Sequence, residues 1–218
     1  MNLNMRLGIL DHSGVMSDDR GPVYEANMIL MQMFGGLPRI PLEELFARSC
    51  GPTAAHSMRD AFGLDVDIDE VNQMFNQIIP ILKTRKDDPV LPVMYPNVPE
   101  YLRELKDLGL KLAVVSTHPQ GELDAELFEY GINNLFEIVS GDPTPKPQRI
   151  KGVCTKLEIP KENTFFLGDM TADLYAAKEA GVTGIGITTG YHSREKLEAT
   201  GIAEYVVDSL AEVSDLLR

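Results

Sequence analysis

The chain has 218 residues, of which 44% are hydrophobic and 24% are charged, a composition typical of a soluble globular protein with a sizeable core. Its formal net charge of −13 disfavours nucleic acid and anionic membrane surfaces as partners, because their phosphates would be repelled. The two cysteines, Cys50 and Cys154, match no metal-ligand spacing, and no signal peptide or membrane-spanning stretch is recognisable. We therefore expect a cytoplasmic protein with reduced thiols.

The first predicted strand is the apolar run over residues 7–10, which ends at Asp11. A short apolar run of this kind is typical of a buried strand in a parallel sheet. Asp11 would then lie just past the carboxyl end of the strand, where open α/β sheets place their ligand crevice. Taken alone, an Asp followed by Ser13-Gly14 is more often a plain turn that caps its own backbone.

A block with helical periodicity and no convincing strand follows, over residues 16–91. We predict four helices, the second opened by Pro41, the third beginning near Thr53 and the fourth capped by Asp69. We expect this block to form an all-helical cap domain, residues 16–92, inserted in the first connection of the sheet and lying over the crevice.

From Pro96 onward, predicted helices and strands alternate. One predicted helix is marked by Leu123, Leu127 and Phe128. Alternation of this kind indicates a parallel sheet covered on both faces, hence an α/β fold with a Rossmann-like three-layer core formed by residues 1–15 and 93–218. The predicted strands are 111–115, 136–139, 164–167, 184–188 and 205–207, and the last two predicted helices are 193–199 and 209–217.

Polar residues stand at four of the predicted strand ends: Asp11, Ser116, Lys146 in a proline-flanked loop, and Asp169 with Asp173. Each has an ordinary explanation as a helix cap, a first-turn carboxylate or a solvated lysine. Together, at matching strand ends, they favour a single site, because the carboxyl ends of parallel strands meet at one edge of the sheet.

These residue types suit the chemistry of a phosphate group. Asp11 and Asp169, with Asp173 as a third candidate, supply the oxygen ligands that Mg²⁺ prefers. Lys146 offers a positive charge and Ser116 a hydroxyl donor, while backbone amides after Asp11 and Ser116 can bind further oxygens. A carboxylate can also attack phosphorus to form an aspartyl-phosphate.

Four motifs spread over nearly the whole chain resemble those of the haloacid dehalogenase-like hydrolase superfamily: ILDHSGV, VVSTH, Lys146 in TPKPQ, and FLGDMTAD. The helical insert resembles the type-1 cap of that superfamily. The stretch LPVMYPNVPEYLRELKDLGLKLAVVST is similar to its phosphoglycolate phosphatase-like branch.

The resemblance implies a role for each matching residue. Asp11 would be the nucleophile, and Mg²⁺ would be bound by Asp11, Asp169 and the backbone carbonyl of Ser13. Asp173 would hold the site in place. The phosphate would be bound by Ser116, Thr117 and Lys146.

Ser13 departs from the pattern, because phosphatases of this superfamily normally carry a second Asp there, which protonates the leaving group and later activates water. A serine is a poor acid or base near neutral pH, so the sequence predicts a slow phosphatase on alkyl phosphates. His12, His118 and His56 are candidate replacements, although for each a surface or helix-capping role is more common. If the strand alternation continues, His12 points away from the site.

The cap loop between Arg48 and Thr53 lies where this cap type usually carries its specificity loop. Arg48, Thr53, His56 and Arg59 are therefore candidate contacts to the non-reacting part of the substrate, with solvated helix residues as an equally good explanation. We expect the substrate to be a small phosphorylated metabolite, and the protein to be a monomer or a homodimer.

Three other interpretations remain open. Phosphonoacetaldehyde hydrolases use a cap lysine, but no lysine precedes Lys83 in this chain. The 2-haloacid dehalogenases need no metal site of the kind that Asp169 and Asp173 suggest. A non-catalytic or slow phospho-accepting module would hold a long-lived aspartyl-phosphate, which Ser13 would favour.

Overall fold

The protein is described by a computed structural model that covers residues 4–84, 91–142 and 145–218. Its internal contacts divide the chain into two compact units. One unit comprises Met1–Ser17 and Met94–Arg218, and the other comprises Asp18–Val93.

The first unit is built on a parallel sheet of six strands in the order β5-β4-β1-β6-β7-β8. Strand β1 is paired on both sides, so that Leu10 stands beside Val114 of β4 and Leu167 of β6. This sheet confirms the predicted α/β Rossmann-like fold. Its strands are β1 (Leu7–Leu10), β4 (Lys111–Ser116), β5 (Ile138–Gly141), β6 (Thr164–Gly168), β7 (Thr183–Ile187) and β8 (Tyr205–Val207).

Apolar side chains cover both faces of the sheet, because successive residues of a strand point to opposite sides. Leu10 and Leu167 belong to one buried cluster, whereas Ile9 and Phe166 belong to the other. Helices supply the outer layers and give the three-layer arrangement. They are α5 (Val98–Asp107), α6 (Gln120–Glu129) and α10 (Leu210–Leu217) on one face, and α7 (Lys146–Leu157) and α8 (Thr171–Ala180) on the other, with the short α9 (Arg194–Glu198) beside β7 and β8.

Four helices make up most of the second unit over the residues that the structure describes. Helices α1 and α4 pack against each other through Ala26, Ile79 and Leu82. Its helices are α1 (Arg20–Gly35), α2 (Leu42–Arg48), α3 (Ala54–Asp60) and α4 (Ile68–Lys83). None of the helices in the described ranges is both long and apolar enough to cross a membrane.

Local details correct five predictions. The short strand β2 (Ser17–Asp18) pairs with β3 (Val93–Met94), so the expectation of no strand in residues 16–91 was wrong. The fourth helix is capped by Asp67 and not by Asp69, because the Asp67 carboxylate is the one that accepts a hydrogen bond from the Glu70 amide at 2.9 Å.

Lys146 is the first residue of α7 and not a loop residue, since prolines are tolerated in the first turn of a helix. Phe128 is 74% exposed, so the buried face of α6 is formed by Leu123, Glu126 and Leu127, with the spacing of three and four that one helix face requires. The predicted strand 136–139 begins two residues later, after a 3₁₀ turn at Asn133–Leu135. Residues 85–90 of the predicted cap and Thr144 of the TPKPQ motif lie outside the described residues.

Candidate active site

Asp11 lies at the carboxyl edge of the sheet because β1 carries it there. The Asp11 amide donates to the Leu167 carbonyl at 2.9 Å, which extends the β1–β6 hydrogen bonding by one residue. The side chain is 9% exposed. Its Oδ1 accepts a hydrogen bond from the His12 amide at 2.8 Å, and its Oδ2 accepts one from Lys146 Nζ at 2.5 Å. Both carboxylate oxygens are therefore held in place.

Two further buried carboxylates come from the next strand and the helix after it. Asp169 follows β6 and accepts a hydrogen bond from the Tyr191 amide at 2.7 Å. Asp173, in the first turn of α8, accepts one from the Met170 amide at 3.0 Å. Carboxylate oxygens of Asp11, Asp169 and Asp173 all lie within 4.8 Å of one another, and we call these three residues the carboxylate cluster.

Lys146 supplies a positive charge to this cluster. Its Nζ lies 2.5 Å from Asp11 Oδ2 and 2.6 Å from Asp173 Oδ1, and it also lies 5.7 Å from the centre of the Phe166 ring. Burial opposes the charged form of Lys146, but Asp11 and Asp173 outweigh it and raise the pKa of the ammonium above its ordinary value. Lys146 is therefore charged throughout the physiological pH range.

The carboxylate cluster carries more negative charge than Lys146 balances. Three ionised carboxylates against one ammonium leave an excess of two negative charges in a buried place. Burial, followed by the charges of Asp173 and Asp11, raises the pKa of Asp169 well above its ordinary value. Burial also raises the pKa of Asp173, with Lys146 opposing it and Asp11 adding to it. A divalent cation would relieve both effects.

Two glycines allow the surrounding loops to approach Asp169. A Cβ atom on Gly14 would lie 2.2 Å from Asp169 Oδ2, and one on Gly190 would lie 2.0 Å from the same oxygen. Gly14 also has a φ of +71°, which favours glycine. The Thr189 hydroxyl donates to the Gly14 carbonyl at 2.5 Å and ties the two loops together. Side chains at either glycine would displace the carboxylate.

The second predicted motif lies at the end of β4. Ser116 is the last residue of the strand and is buried, and Thr117 is half-buried beside it. Ser116 Oγ lies 3.1 Å from His118 Nδ1. Ser13, two residues after Asp11, is half-buried and forms an isolated bridge with Ser17.

Arg149, which the sequence did not single out, holds the loops after β4 and β5. Its guanidinium donates to the Ser116 carbonyl at 2.6 and 2.9 Å, to the Ser140 carbonyl at 3.0 Å and to the Asp142 carbonyl. Burial lowers the pKa of Arg149, with Asp142 opposing this effect. Its position could have indicated this role, because a residue three positions after Lys146 lies on the same side of α7.

Sequence reasoning also missed His192, which is buried after β7. Its Nδ1 accepts a hydrogen bond from the Thr171 amide at 3.0 Å and so satisfies one of the free donors at the start of α8. His192 thereby supports the helix that carries Asp173.

The three histidines that could replace the missing acid lie in different surroundings. His12 is fully buried, so the expectation of a surface or capping role was wrong, and its Nε2 lies 2.8 Å from Glu126 Oε2. His118 contacts Ser116, as described above. In the helical unit, His56 Nδ1 lies 2.8 Å from Thr53 Oγ1, and burial lowers the pKa of this histidine.

The candidate arginines of the helical unit are engaged in local contacts. Arg48 donates to the Ala61 carbonyl at 3.0 Å, and its guanidinium lies 4.1 Å from the centre of the Phe62 ring. Arg59 donates to Asp60 at 2.7 Å. A role for Arg48, Thr53, His56 or Arg59 in substrate binding stays a prediction.

The sequence that carries these motifs is similar to a known protein family. The sequence matches the haloacid dehalogenase-like hydrolase family over residues 9–187, which is most of the chain. The chain belongs to this family. The site at which the four motifs meet therefore belongs to a member of a hydrolase family.

The curated relatives that it matches include phosphoglycolate phosphatases, which confirms the predicted branch. The enzyme of Vibrio vulnificus strain CMCP6 is 33% identical over 129 residues, covering 57% of this chain and 56% of that protein. The enzyme of Pasteurella multocida strain Pm70 is 33% identical over 133 residues, covering 59% of each chain. The matched stretch therefore spans little more than half the length of these relatives.

Solved structures show the same fold over nearly the full chain. A haloacid dehalogenase-like family hydrolase from Streptococcus pneumoniae has a TM-score of 0.78 at 17% identity and covers 99% of both chains. CbbY from Rhodobacter sphaeroides, in complex with phosphate, has a TM-score of 0.69 at 19% identity and covers 96% of both chains. At this level of identity the likeness establishes the fold alone.

Proposed function

We propose that this protein is a Mg²⁺-dependent phosphatase that hydrolyses a small phosphorylated metabolite through an aspartyl-phosphate on Asp11. The observation that carries the proposal is the position of the Lys146 ammonium, 2.5 Å from Asp11 and 2.6 Å from Asp173, beside the third carboxylate of Asp169. A nucleophile, a cation for the phosphate and oxygen ligands for a metal thus occupy one buried edge of the sheet.

The residues of the carboxylate cluster fit Mg²⁺, a hard cation that binds one or two carboxylates together with water and phosphate oxygens. The excess negative charge and the raised pKa of Asp169 support a divalent cation at this place. Asp11, Asp169 and the Ser13 carbonyl would hold it, and Asp173 would position Lys146. When bound, the ion would offset the repulsion between these carboxylates and the substrate phosphate.

The reaction then proceeds in two displacements at phosphorus. One oxygen of Asp11 forms a bond to phosphorus while the ester oxygen leaves with the electrons of its P–O bond and takes up a proton from solvent. Water then attacks the phosphorus of the aspartyl-phosphate and gives up a proton to solvent, while the bond to Asp11 breaks and inorganic phosphate is released. Lys146, Ser116 and Thr117 bind the phosphate oxygens and orient them for both steps.

Ser13 makes proton transfer the weak point of this mechanism. The serine hydroxyl neither protonates an alkoxide efficiently nor activates water near neutral pH. Alkyl phosphates, whose leaving groups are strong bases, should therefore react slowly, and acyl phosphates should be less affected. Phosphoglycolate, the substrate named by the curated relatives, is an alkyl phosphate and is the first metabolite to test.

The test measures phosphate release from phosphoglycolate, p-nitrophenyl phosphate and acetyl phosphate, with Mg²⁺ and with EDTA. We expect Mg²⁺-dependent turnover that disappears in Asp11→Asn and is slowest on phosphoglycolate. Absence of Asp11-dependent turnover on all three would overturn the phosphatase proposal. If acetyl phosphate then labelled Asp11 with a long-lived phosphoryl group, a slow phospho-accepting module would replace it, the alternative that Ser13 favours.

A further inference from the structure

A second buried cluster lies beside the carboxylate cluster and contains nitrogen donors. His12 comes from the end of β1, His118 follows β4, and Glu126 stands on the buried face of α6. One ligand atom of each residue lies within 4.8 Å of a ligand atom of the other two. We call these three residues the imidazole cluster.

The imidazole cluster is compact. His12 Nε2 lies 2.8 Å from Glu126 Oε2. The rings of His12 and His118 meet edge to face, with their centres 5.2 Å apart and an angle of 88° between their planes. The His12 side chain is fully buried and that of Glu126 is 11% exposed. The side chains of His12 and Glu126 are therefore largely closed to solvent, and His118 is half-buried beside them.

We propose that His12, His118 and Glu126 bind a divalent transition-metal ion of the Zn²⁺ type. Two imidazoles and one carboxylate form a donor set that Zn²⁺ accepts, with a fourth position left for water or another ligand. Zn²⁺ bonds of about 2.0–2.2 Å place neighbouring donors roughly 3.3–3.5 Å apart. The His12–Glu126 pair, 2.8 Å apart, would have to open by roughly 0.5 Å, and the ligand atom of His118, at most 4.8 Å away, would have to move by no more than about 1.5 Å.

The hydrogen bonding around the cluster supports a ligand. Ser116 Oγ lies 3.1 Å from His118 Nδ1 and fixes the orientation of the ring, as a partner on one ring nitrogen does for metal-binding histidines. His12 Nδ1 is buried and has no hydrogen-bond partner within the described part of the chain. Within the described part of the chain, hydrogen bonds therefore use one of the two ring nitrogens of this buried imidazole, the Nε2 that faces Glu126.

The donor types separate the two clusters. Carboxylate oxygens favour Mg²⁺, whereas imidazole nitrogens favour Zn²⁺, Co²⁺ or similar ions over Mg²⁺. Two neutral imidazoles and one carboxylate would leave a bound divalent ion with a net charge of +1. The −13 formal charge of the chain favours such a cation.

The test measures Zn²⁺ binding to the full chain in excess Mg²⁺, by competition with a chromophoric chelator, and records the visible spectrum with Co²⁺. We expect one ion per chain and a Co²⁺ spectrum of nitrogen ligation. Glu126→Gln and His118→Gln should each weaken Zn²⁺ binding by about tenfold or more and change the Co²⁺ bands. Glu129→Gln, on the exposed side of the same helix, and Asp169→Asn, in the carboxylate cluster, should retain both.

Three outcomes would overturn the proposal. They are no binding that competes with the chelator, equal affinity in His118→Gln and the native chain, and loss of binding in Asp169→Asn. The last would place the ion at the carboxylate cluster. Circular dichroism checks the fold of each variant. If Glu126→Gln does not fold, His118→Gln decides, because His118 is partly exposed and its replacement leaves the His12–Glu126 pair intact.

Discussion

The carboxylate cluster and the imidazole cluster contain adjacent residues, Asp11 and His12. The two clusters differ in the charged groups that surround these buried side chains. Asp11 joins two other carboxylates and is paired with Lys146, whereas His12 faces a single carboxylate, Glu126. With all three carboxylates ionised, the first cluster would carry more negative charge than Lys146 balances, whereas the second combines two imidazole rings with one carboxyl group. Adjacent residues at the end of an extended strand point to opposite sides, so one turn can supply two sites with different ligand preferences.

Among changes to the carboxylate cluster, we expect replacement of the proposed nucleophile Asp11 to have the largest effect. We expect Asp11→Asn to lower turnover by roughly 10³-fold or more, because the amide is not a nucleophile toward phosphorus. Phosphate release measures the effect, and Asp107→Asn, an exposed carboxylate on α5, is the control. Substantial turnover in Asp11→Asn would contradict the assignment of the nucleophile.

Removal of the cation tests whether Lys146 holds the cluster together. Lys146→Met leaves Asp11 and Asp173 buried without their partner, and we expect the free energy of unfolding to fall by about 3–5 kcal/mol. Urea unfolding in EDTA measures this, with the exposed Lys156→Met on the same helix as control. Mg²⁺ should restore part of the loss, and an unchanged unfolding midpoint would show that the ion pair contributes little.

Replacement of Ser13 by the Asp that is usual in the family tests how strongly proton transfer limits turnover of each substrate. We expect Ser13→Asp to raise kcat on phosphoglycolate by roughly 10²-fold, the scale of general acid–base catalysis, and to raise it less on acetyl phosphate. Steady-state kinetics on both substrates measure the difference. An equal gain on both, or none, would mean that proton transfer to the leaving group does not limit the native protein.

Of these changes, we expect Asp169→Asn, which replaces one carboxylate by a neutral amide, to have the smallest effect, a shift in Tm. The folded state raises the pKa of Asp169, so the folded chain binds its proton more tightly than the unfolded chain and loses stability as the pH rises through the folded pKa. In EDTA at pH 7.5, Asp169→Asn should raise Tm by about 2–4 °C, the shift that about 1 kcal/mol produces in a chain of this size.

That gain should shrink as the pH falls toward 4, because the native carboxyl then takes up a proton. Mg²⁺ should raise the Tm of the native chain and have little effect on the variant. Asp215→Asn, on the exposed side of α10, is the matched control. A lower Tm in Asp169→Asn would indicate that the Tyr191 hydrogen bond outweighs the repulsion.

The carboxylate cluster could be predicted residue by residue, and the imidazole cluster could not. Asp11, Asp169 and Asp173 stand at strand ends or in a first helical turn, where position along the chain predicts position in space. His12 and Glu126 are 114 residues apart, and nothing in the sequence around Glu126 distinguishes it from a solvent-exposed glutamate on a helix. Arg149 and His192 were missed for the same reason, since their partners are backbone groups of distant loops.

The sequence by itself determined the alternation of strands and helices, the parallel sheet and the residues at its carboxyl edge, because hydrophobic periodicity depends on neighbours a few positions away. Only the tertiary structure decided that Lys146 begins a helix and reaches both Asp11 and Asp173, and that Glu126 turns inward while Phe128 faces solvent. Those outcomes depend on which helix face packs against the sheet. Which face packs there depends on burial over the whole core, and a short stretch of sequence does not determine it.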